Sequence, residues 1–221
     1  MNRRLPFLAL LLAVLVVATA CLPTTWRGPD PCDGEGTLFR DDFSGAQDCG
    51  WAFYSRGGAV VELRDDAMQL RSSSPGQIWW TNPGRNFSDV IINVRTEQLG
   101  GPDDNAYGVI CRYQSPENFY LFVISGDGYY AIGKYQSGSS QIQYLTGDGQ
   151  YLASETINQG QSVNQIRASC VGNQLSLTVN GLPVATVTDP TFVTGDIGLA
   201  VSTFLPGTAV IQFNDLRVIA P

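Results

Sequence analysis

Short runs of alternating apolar and polar residues, separated by turn-forming residues, recur along most of the chain. In residues 174–180 a leucine or valine alternates with a polar residue, and Asn180-Gly181 follows as a hairpin signal. About a dozen or more such runs are present, and none shows an apolar period of 3.6 residues sustained over a long segment. The polar stretch 146–161 is expected to be mostly loop. The pattern predicts an all-β domain, built as a two-sheet antiparallel jelly-roll sandwich.

The densest aromatic and β-branched stretch, residues 106–135, reads as three consecutive strands joined by two tight turns. In its first strand, alternation places Cys111 and Tyr113 on the core face. Arg112 then faces the opposite side of the sheet, where a ligand could lie. In residues 118–124 both the odd-numbered and the even-numbered positions are largely apolar, so alternation does not decide which face Tyr120 takes.

The N-terminal 20 residues have the pattern of a secretory signal peptide, with Arg3 and Arg4 before an apolar run and then small residues. Ala18-Thr19-Ala20-Cys21 resembles a bacterial lipobox, which predicts lipidation of Cys21. The alternative is an ordinary signal-peptidase site at the same bond. We therefore expect a signal peptide at 1–20, a lipidated N-terminus and tether at 21–36, and a folded domain at 37–221.

The five cysteines help to decide between lipidation of Cys21 and ordinary cleavage, and they also constrain the fold. Lipidation of Cys21 leaves an even set, which suits an exported protein in an oxidising compartment. Of the three possible pairings of the remaining four, we favour Cys32–Cys49, closing a local loop, and Cys111–Cys170, each in the middle of an apolar strand. The alternative for the second pair is two buried free thiols.

Charge and composition remove several classes of function. The chain carries 13 basic and 20 acidic residues, with Lys134 as its single lysine and no histidine. Nucleic-acid binding needs a clustered positive surface, so no nucleic-acid partner is expected. The absence of histidine excludes Ser-His-Asp and Cys-His nucleophile systems and histidine-ligated zinc.

Three pieces of sequence carry a family resemblance: Gly195-Asp196-Ile197-Gly198-Leu199, the segment 177–181 (LTVNG) and the stretch 106–135. Together they resemble exported bacterial domains of the concanavalin A-like lectin/glucanase superfamily, nearest to its laminin-G-like and keto-disaccharide-hydrolase-like branches. The resemblance covers about residues 37–219. It implies two curved antiparallel sheets that bind or cleave carbohydrate on the concave face. Fold alone does not carry function across so broad a superfamily.

Catalysis is not expected from the sequence. Retaining glucanases of this superfamily carry Glu-x-Asp-x-Glu along one strand, which places the carboxylates on the same face. The chain has no such run; Glu62 with Asp65, and Asp103 with Asp104, have the wrong spacing for one strand face. A carboxylate pair assembled from different strands remains open.

A sugar-binding face is the better hypothesis, because aromatic rings stack on pyranoses while polar side chains bond to hydroxyl groups. The alternative for any one ring is that it belongs to the core. Our ligand-binding candidates are Trp79, Trp80, Arg112, Tyr120 and Tyr130. Further possibilities are Tyr113, Tyr129 and Tyr135.

A structural calcium ion is a weaker expectation, and no other cofactor is expected. The resemblance implies an oxygen-ligated site near the chain ends, for which Asp42 and Asp215 are the matching candidates. The alternative is that these aspartates only form turns.

Together these features predict a carbohydrate-binding β-sandwich lipoprotein without catalytic activity, exported and lipid-anchored on the outer face of a bacterial membrane. Its partner would be a glycan or polysaccharide, and it would contact the membrane only through the N-terminal lipid. The alternatives are a carbohydrate-active hydrolase or lyase of keto-disaccharide type, and a structural or protein-binding module of the envelope.

Overall fold

The computed structural model describes residues 32–221, which form sixteen β-strands and no helix. The predicted signal peptide and the lipidation site Cys21 lie outside the described residues. Within the described residues, no helix is long and apolar enough to span a membrane.

The strands follow one another along the chain with short connections. In order they are β1 (Phe39–Asp41), β2 (Tyr54–Arg56), β3 (Ala59–Arg64), β4 (Ala67–Ser72), β5 (Ile78–Thr81), β6 (Val90–Gly100), β7 (Asn105–Ser115), β8 (Asn118–Ile124), β9 (Tyr129–Tyr135), β10 (Gln143–Tyr144), β11 (Leu152–Ala153), β12 (Val163–Val171), β13 (Gln174–Val179), β14 (Leu182–Thr188), β15 (Asp196–Thr203) and β16 (Ala209–Ile219).

The strands form two antiparallel sheets that pack face to face. The nine-stranded sheet has the order β14-β13-β12-β6-β16-β4-β3-β2, with β1 paired to β16. The seven-stranded sheet has the order β10-β9-β8-β7-β15-β5, with β11 paired to β9. The predicted two-sheet antiparallel sandwich is therefore confirmed.

The core lies between the sheets and follows the alternation of the sequence. In β13 the residues Leu175, Leu177 and Val179 are all buried, as their period of two predicts. The turn after β13 also behaves as predicted: Asn180 and Gly181 both have positive φ, of 51° and 82°. Positive φ at both central residues is what a type I′ hairpin turn requires.

Both predicted disulfides are confirmed. Cys32 and Cys49 are joined with their Cα atoms 5.6 Å apart, which attaches the start of the described chain to the segment before β2. Cys111 in β7 is joined to Cys170 in β12, across a sequence separation of 59. Because β7 and β12 belong to different sheets, this second bridge ties the two layers of the sandwich together.

Candidate functional site

The seven-stranded sheet is apolar on both of its faces. Its inner face contributes to the sandwich core, whereas its outer face carries a separate cluster of buried residues: Ala106, Ile110, Phe119, Leu121, Val123, Ala131 and Ala200. The nine-stranded sheet differs: its strand β6, for example, alternates buried residues with partly exposed ones such as Asn93 and Arg95. The outer face of the seven-stranded sheet therefore has a small core of its own, covered by partly buried aromatic residues.

Four aromatic rings stand together on that outer face, which we call the aromatic face. Phe119 lies in the middle, with ring centroids 5.4 Å from Trp80, 5.9 Å from Tyr113 and 5.8 Å from Tyr135. These residues come from β5, β7, β8 and β9. Separations of this size are those of favourable stacked, tilted or edge-to-face ring pairs, so the rings hold one another in place.

A second group of rings lies beyond β9 and at the end of β15. Tyr144 and Tyr151 have their centroids 4.8 Å apart, and Tyr151 is 6.1 Å from Phe204. Both tyrosines pack against the outer apolar cluster of the seven-stranded sheet. The two ring groups therefore stand on the same side of the molecule.

A groove runs between and beside these rings. One cavity of about 370 Å³ lies between Tyr135 and the second ring group, and another of about 540 Å³ lies along the β5 edge near Trp80. Ile78 and Tyr135 line both cavities, so we treat them as one groove. Small residues such as Ala106 and Ser202, which pair between β7 and β15, line its floor.

Trp80 is the one member of our ligand-binding set of five that stands on the aromatic face. It pairs with Ala200 across β5 and β15, and its ring touches Tyr113 and Phe119. The preceding residue, Trp79, points the other way and packs against the sandwich core, although it also lines the groove cavity at the β5 edge. Adjacent residues in a strand face opposite sides, so the two tryptophans could not share one face.

Tyr120 and Tyr130 lie on the core side and are buried. The Tyr120 hydroxyl donates a hydrogen bond of 2.6 Å to Asp189 Oδ1 and accepts one of 3.1 Å from the Phe192 backbone N–H. Burial, together with the hydrogen bond to Asp189, raises the pKa of Tyr120 to about 12. Tyr120 therefore fixes the loop that precedes β15 and is turned away from the groove.

A buried ion pair completes that network. Lys134 Nζ lies 2.7 Å from Asp189 Oδ2 and 2.8 Å from Thr191 Oγ1. Burial opposes ionisation of Asp189, but hydrogen bonds from Lys134, Thr191 and Tyr120 outweigh it and lower the pKa of Asp189 to about 2. The single lysine of the chain is thus part of the scaffold.

The prediction that Arg112 faces the opposite side from the core is wrong. Its side chain is 1% exposed, Nη1 donates to the Phe192 carbonyl at 2.7 Å, and Nη2 lies 3.0 Å from Asp89 Oδ1. The reason is a bulge in β7, where the register shifts after Cys111 and Arg112 adopts a positive φ of 53°. A bulge inserts a residue and reverses the facing of those that follow. Tyr113 consequently reaches the aromatic face instead of the core.

The two metal candidates, Asp42 and Asp215, line one polar cavity of about 380 Å³ together with Asp41, Arg40 and Arg217. In residues 32–221 no group of three or more His, Cys, Asp or Glu side chains is arranged to hold a metal ion. Calcium also accepts backbone and amide oxygens. A calcium site at Asp42 and Asp215 therefore stays a prediction.

Sequence reasoning did not find four members of the site: Phe119, Tyr144, Tyr151 and Phe204. The sequence did mark Phe119, because residues on both sides of strand β8 are apolar, and such a strand is covered on both faces. Tyr151 lies in a stretch predicted as loop, and that prediction holds apart from the two-residue β11. No local pattern marks it, since its role depends on contact with Phe204, far away in sequence.

Comparison with known proteins adds information on the fold. No protein-family model and no curated protein matches the chain. Among solved structures it is similar to carbohydrate binding module CBM66 from Bacillus subtilis, with a TM-score of 0.63, 16% identity and coverage of 77% of this chain and 96% of that one.

Two further structures show the same similarity. A Bacillus subtilis protein of unknown function with a galectin-like fold has a TM-score of 0.61 and 12% identity, over 84% of this chain and 96% of that one. The GH43 protein BlXynB from Bacillus licheniformis has a TM-score of 0.58 and 13% identity, and the match covers 82% of this chain and 39% of that one. These likenesses establish a lectin-like β-sandwich fold.

Proposed function

We propose that this protein is a non-catalytic glycan-binding module whose ligand lies in the groove of the aromatic face. The observation that carries the proposal is the groove itself: rings from Trp80, Tyr113 and Tyr135 stand at one side, Tyr144 and Tyr151 at the other, with small residues between them. Such rings stack on the apolar faces of pyranoses. Similarity to a carbohydrate binding module supports the proposal at the level of fold.

Polar groups at the groove's margins supply the hydrogen bonds that a sugar also needs. Ser140 and Gln141 line the cavity beside Tyr144, and Gln77 and Asn82 line the cavity beside Trp80. Hydroxyl and amide groups both donate and accept hydrogen bonds, which matches sugar hydroxyls. An apolar pocket with a few convergent polar groups is the usual form of a small-molecule site.

The groove supports binding over hydrolysis. In the described part of the chain, neither cavity of the groove is lined by an Asp or Glu residue, and the one charged side chain there is Arg56. Glycoside hydrolysis by a paired-carboxylate mechanism needs two carboxyl groups flanking the scissile bond. The aromatic face likewise favours a ligand over a purely structural role in the envelope.

Binding to an array of soluble and immobilised glycans tests the proposal. The wild type should bind at least one glycan, and Trp80→Ala and Tyr135→Ala should each weaken that binding about tenfold, a typical loss for a buried aromatic anchor. Phe53→Ala is the control, because this exposed aromatic residue lines neither cavity of the groove. Release of reducing sugar from the bound glycan, or no binding to any glycan by folded wild type, would contradict the proposal.

We also propose export with a lipid anchor at Cys21. The two disulfides support an oxidising compartment, where such bonds persist. Mass spectrometry of the mature N-terminus from the native host tests the anchor: diacylglycerol on Cys21 is expected, and an unmodified Cys21 would refute it.

Calcium at Asp42 and Asp215 is a separate proposal. The two aspartates lining one cavity support it. Chelation should lower the melting temperature of the wild type and leave that of Asp215→Asn unchanged. A wild-type melting temperature that does not respond to chelator and to added calcium would refute it.

A further inference from the structure

A further cavity, of about 330 Å³, adjoins the groove at the end of the seven-stranded sheet. Tyr129, Tyr151 and Phe204 line it together with two acidic residues, Asp104 and Asp127. Tyr151 and Phe204 also line the groove, so they form the wall between the two spaces. We call this space the acidic aromatic cavity.

Three aromatic residues line this cavity. Tyr151 is largely covered and lies edge-to-face with Phe204, at an interplanar angle of 79°. Tyr129 and Phe204 are 41% and 37% exposed, although aromatic side chains usually find cover when a fold offers it. A ligand that entered the cavity would lie beside these three aromatic residues.

The two carboxylates have no cationic partner. Across residues 32–221, neither Asp104 nor Asp127 takes part in a salt bridge, and the lining of the cavity includes no Lys or Arg. Burial, the neighbouring Tyr144 and the negative charges of Asp104 and Asp127 raise the pKa of the Tyr151 phenol. The negative charge of the two carboxylates therefore lies close to Tyr151.

Buried polar groups hold the two acidic turns in place. Asn105 is fully buried; its Nδ2 donates to Gln98 Oε1 at 2.8 Å, and its Oδ1 accepts from the Gly126 backbone N–H at 3.0 Å. Gln98 in turn donates to Asp103 Oδ1 at 2.7 Å, and the Asp127 N–H bonds to the Asp103 carbonyl at 3.0 Å. The turn that carries Asp104 and the turn that carries Asp127 are thus joined before any ligand arrives, which lowers the ordering cost of binding.

We propose that the acidic aromatic cavity binds a methylated ammonium group of the choline type. The negative faces of aromatic rings attract such a cation, and nearby carboxylates add Coulomb attraction. The methyl groups fit apolar ring walls, whereas a calcium ion would require six to eight oxygen ligands. This site adjoins the groove and shares Tyr151 and Phe204 with it, but its test does not depend on the glycan proposal.

Isothermal titration calorimetry with choline chloride tests the charge requirement. The matched probe is the uncharged alcohol of the same shape, in which a quaternary carbon replaces the nitrogen. Choline should bind about tenfold more tightly than this alcohol, the difference expected for a partly desolvated cation–π site. Equal affinity for the two, or no binding of choline at millimolar concentration, would overturn the proposal.

Variants then locate the site. Tyr129→Ala and Asp127→Asn should each weaken choline binding about threefold to tenfold, whereas Trp80→Ala, on the aromatic face, should leave it unchanged. Circular dichroism melting curves identify any variant that has not folded. If Asp127→Asn does not fold, Asp104→Asn tests the other carboxylate of the cavity independently. Folded variants of Tyr129 and both aspartates with wild-type choline affinity would overturn the assignment, as would calcium binding that displaces choline.

Discussion

The buried pair of Lys134 and Asp189 gives a prediction whose size follows from the structure. The side chains are 9% and 11% exposed, and the pKa of Asp189 lies at about 2, against an ordinary value of 3.8. Because a folded-state pKa below the unfolded value stabilises the ionised form, the contribution is present above about pH 4 and is lost as the pH falls towards 2. The difference in pKa corresponds to about 2 kcal/mol of folding free energy.

Replacement of Asp189 by Asn removes this contribution and leaves the Lys134 ammonium buried without an anion. Loss of one partner from a buried pair costs about 3 kcal/mol or more near neutral pH. The stability difference between wild type and Asp189→Asn should therefore be about 3 kcal/mol at pH 7 and should shrink by about 2 kcal/mol on acidification to pH 2, with about half of that change complete at pH 3. Other carboxylates titrate in both proteins and cancel in the difference.

Urea unfolding followed by tryptophan fluorescence, at a series of pH values from 7 to 2, measures this difference. Glu155→Gln is the control, because Glu155 is exposed and should give a difference near zero at every pH. A difference between wild type and Asp189→Asn that stays constant over the whole range would refute the reasoning, since it would mean that Asp189 titrates alike in the folded and unfolded states.

Three further changes test the scaffold, each by its effect on the urea midpoint. Replacing Cys111 and Cys170 by Ala should lower the free energy of unfolding by about 4 kcal/mol, and removing the Cys32–Cys49 bridge should lower it by about 3 kcal/mol. The first loss is larger because that bridge closes a longer loop, of 59 residues against 17. Equal losses would contradict the loop-length argument. Gly108→Ala should cost about 3 kcal/mol, because the new Cβ would meet the backbone carbonyl of Phe122 in the neighbouring strand, and an unchanged midpoint would show that the strands can separate. Arg112→Lys should cost about 3 kcal/mol, since an ammonium cannot reproduce the two directed bonds of the guanidinium; a wild-type midpoint would mean that charge alone suffices there.

Much of the fold could be predicted from local sequence. A period of two in residues 174–180 shows which side chains of β13 are buried, and Asn180-Gly181 shows where the chain reverses, because both depend on geometry within a few residues. The pairing of Cys111 with Cys170 followed from two apolar strands and cysteine parity. These inferences needed no knowledge of which strand lies beside which.

The candidate site depended on information of another kind. Trp80, Tyr135 and Phe204 share a groove only because β5, β9 and the end of β15 belong to one sheet, and strand order is set by long-range pairing that no short pattern encodes. The facing of Arg112 was reversed by a bulge whose register is fixed by the neighbouring strands. Alternation along one strand thus predicted the core, whereas tertiary pairing between distant strands decided which aromatic residues stand on the outer face.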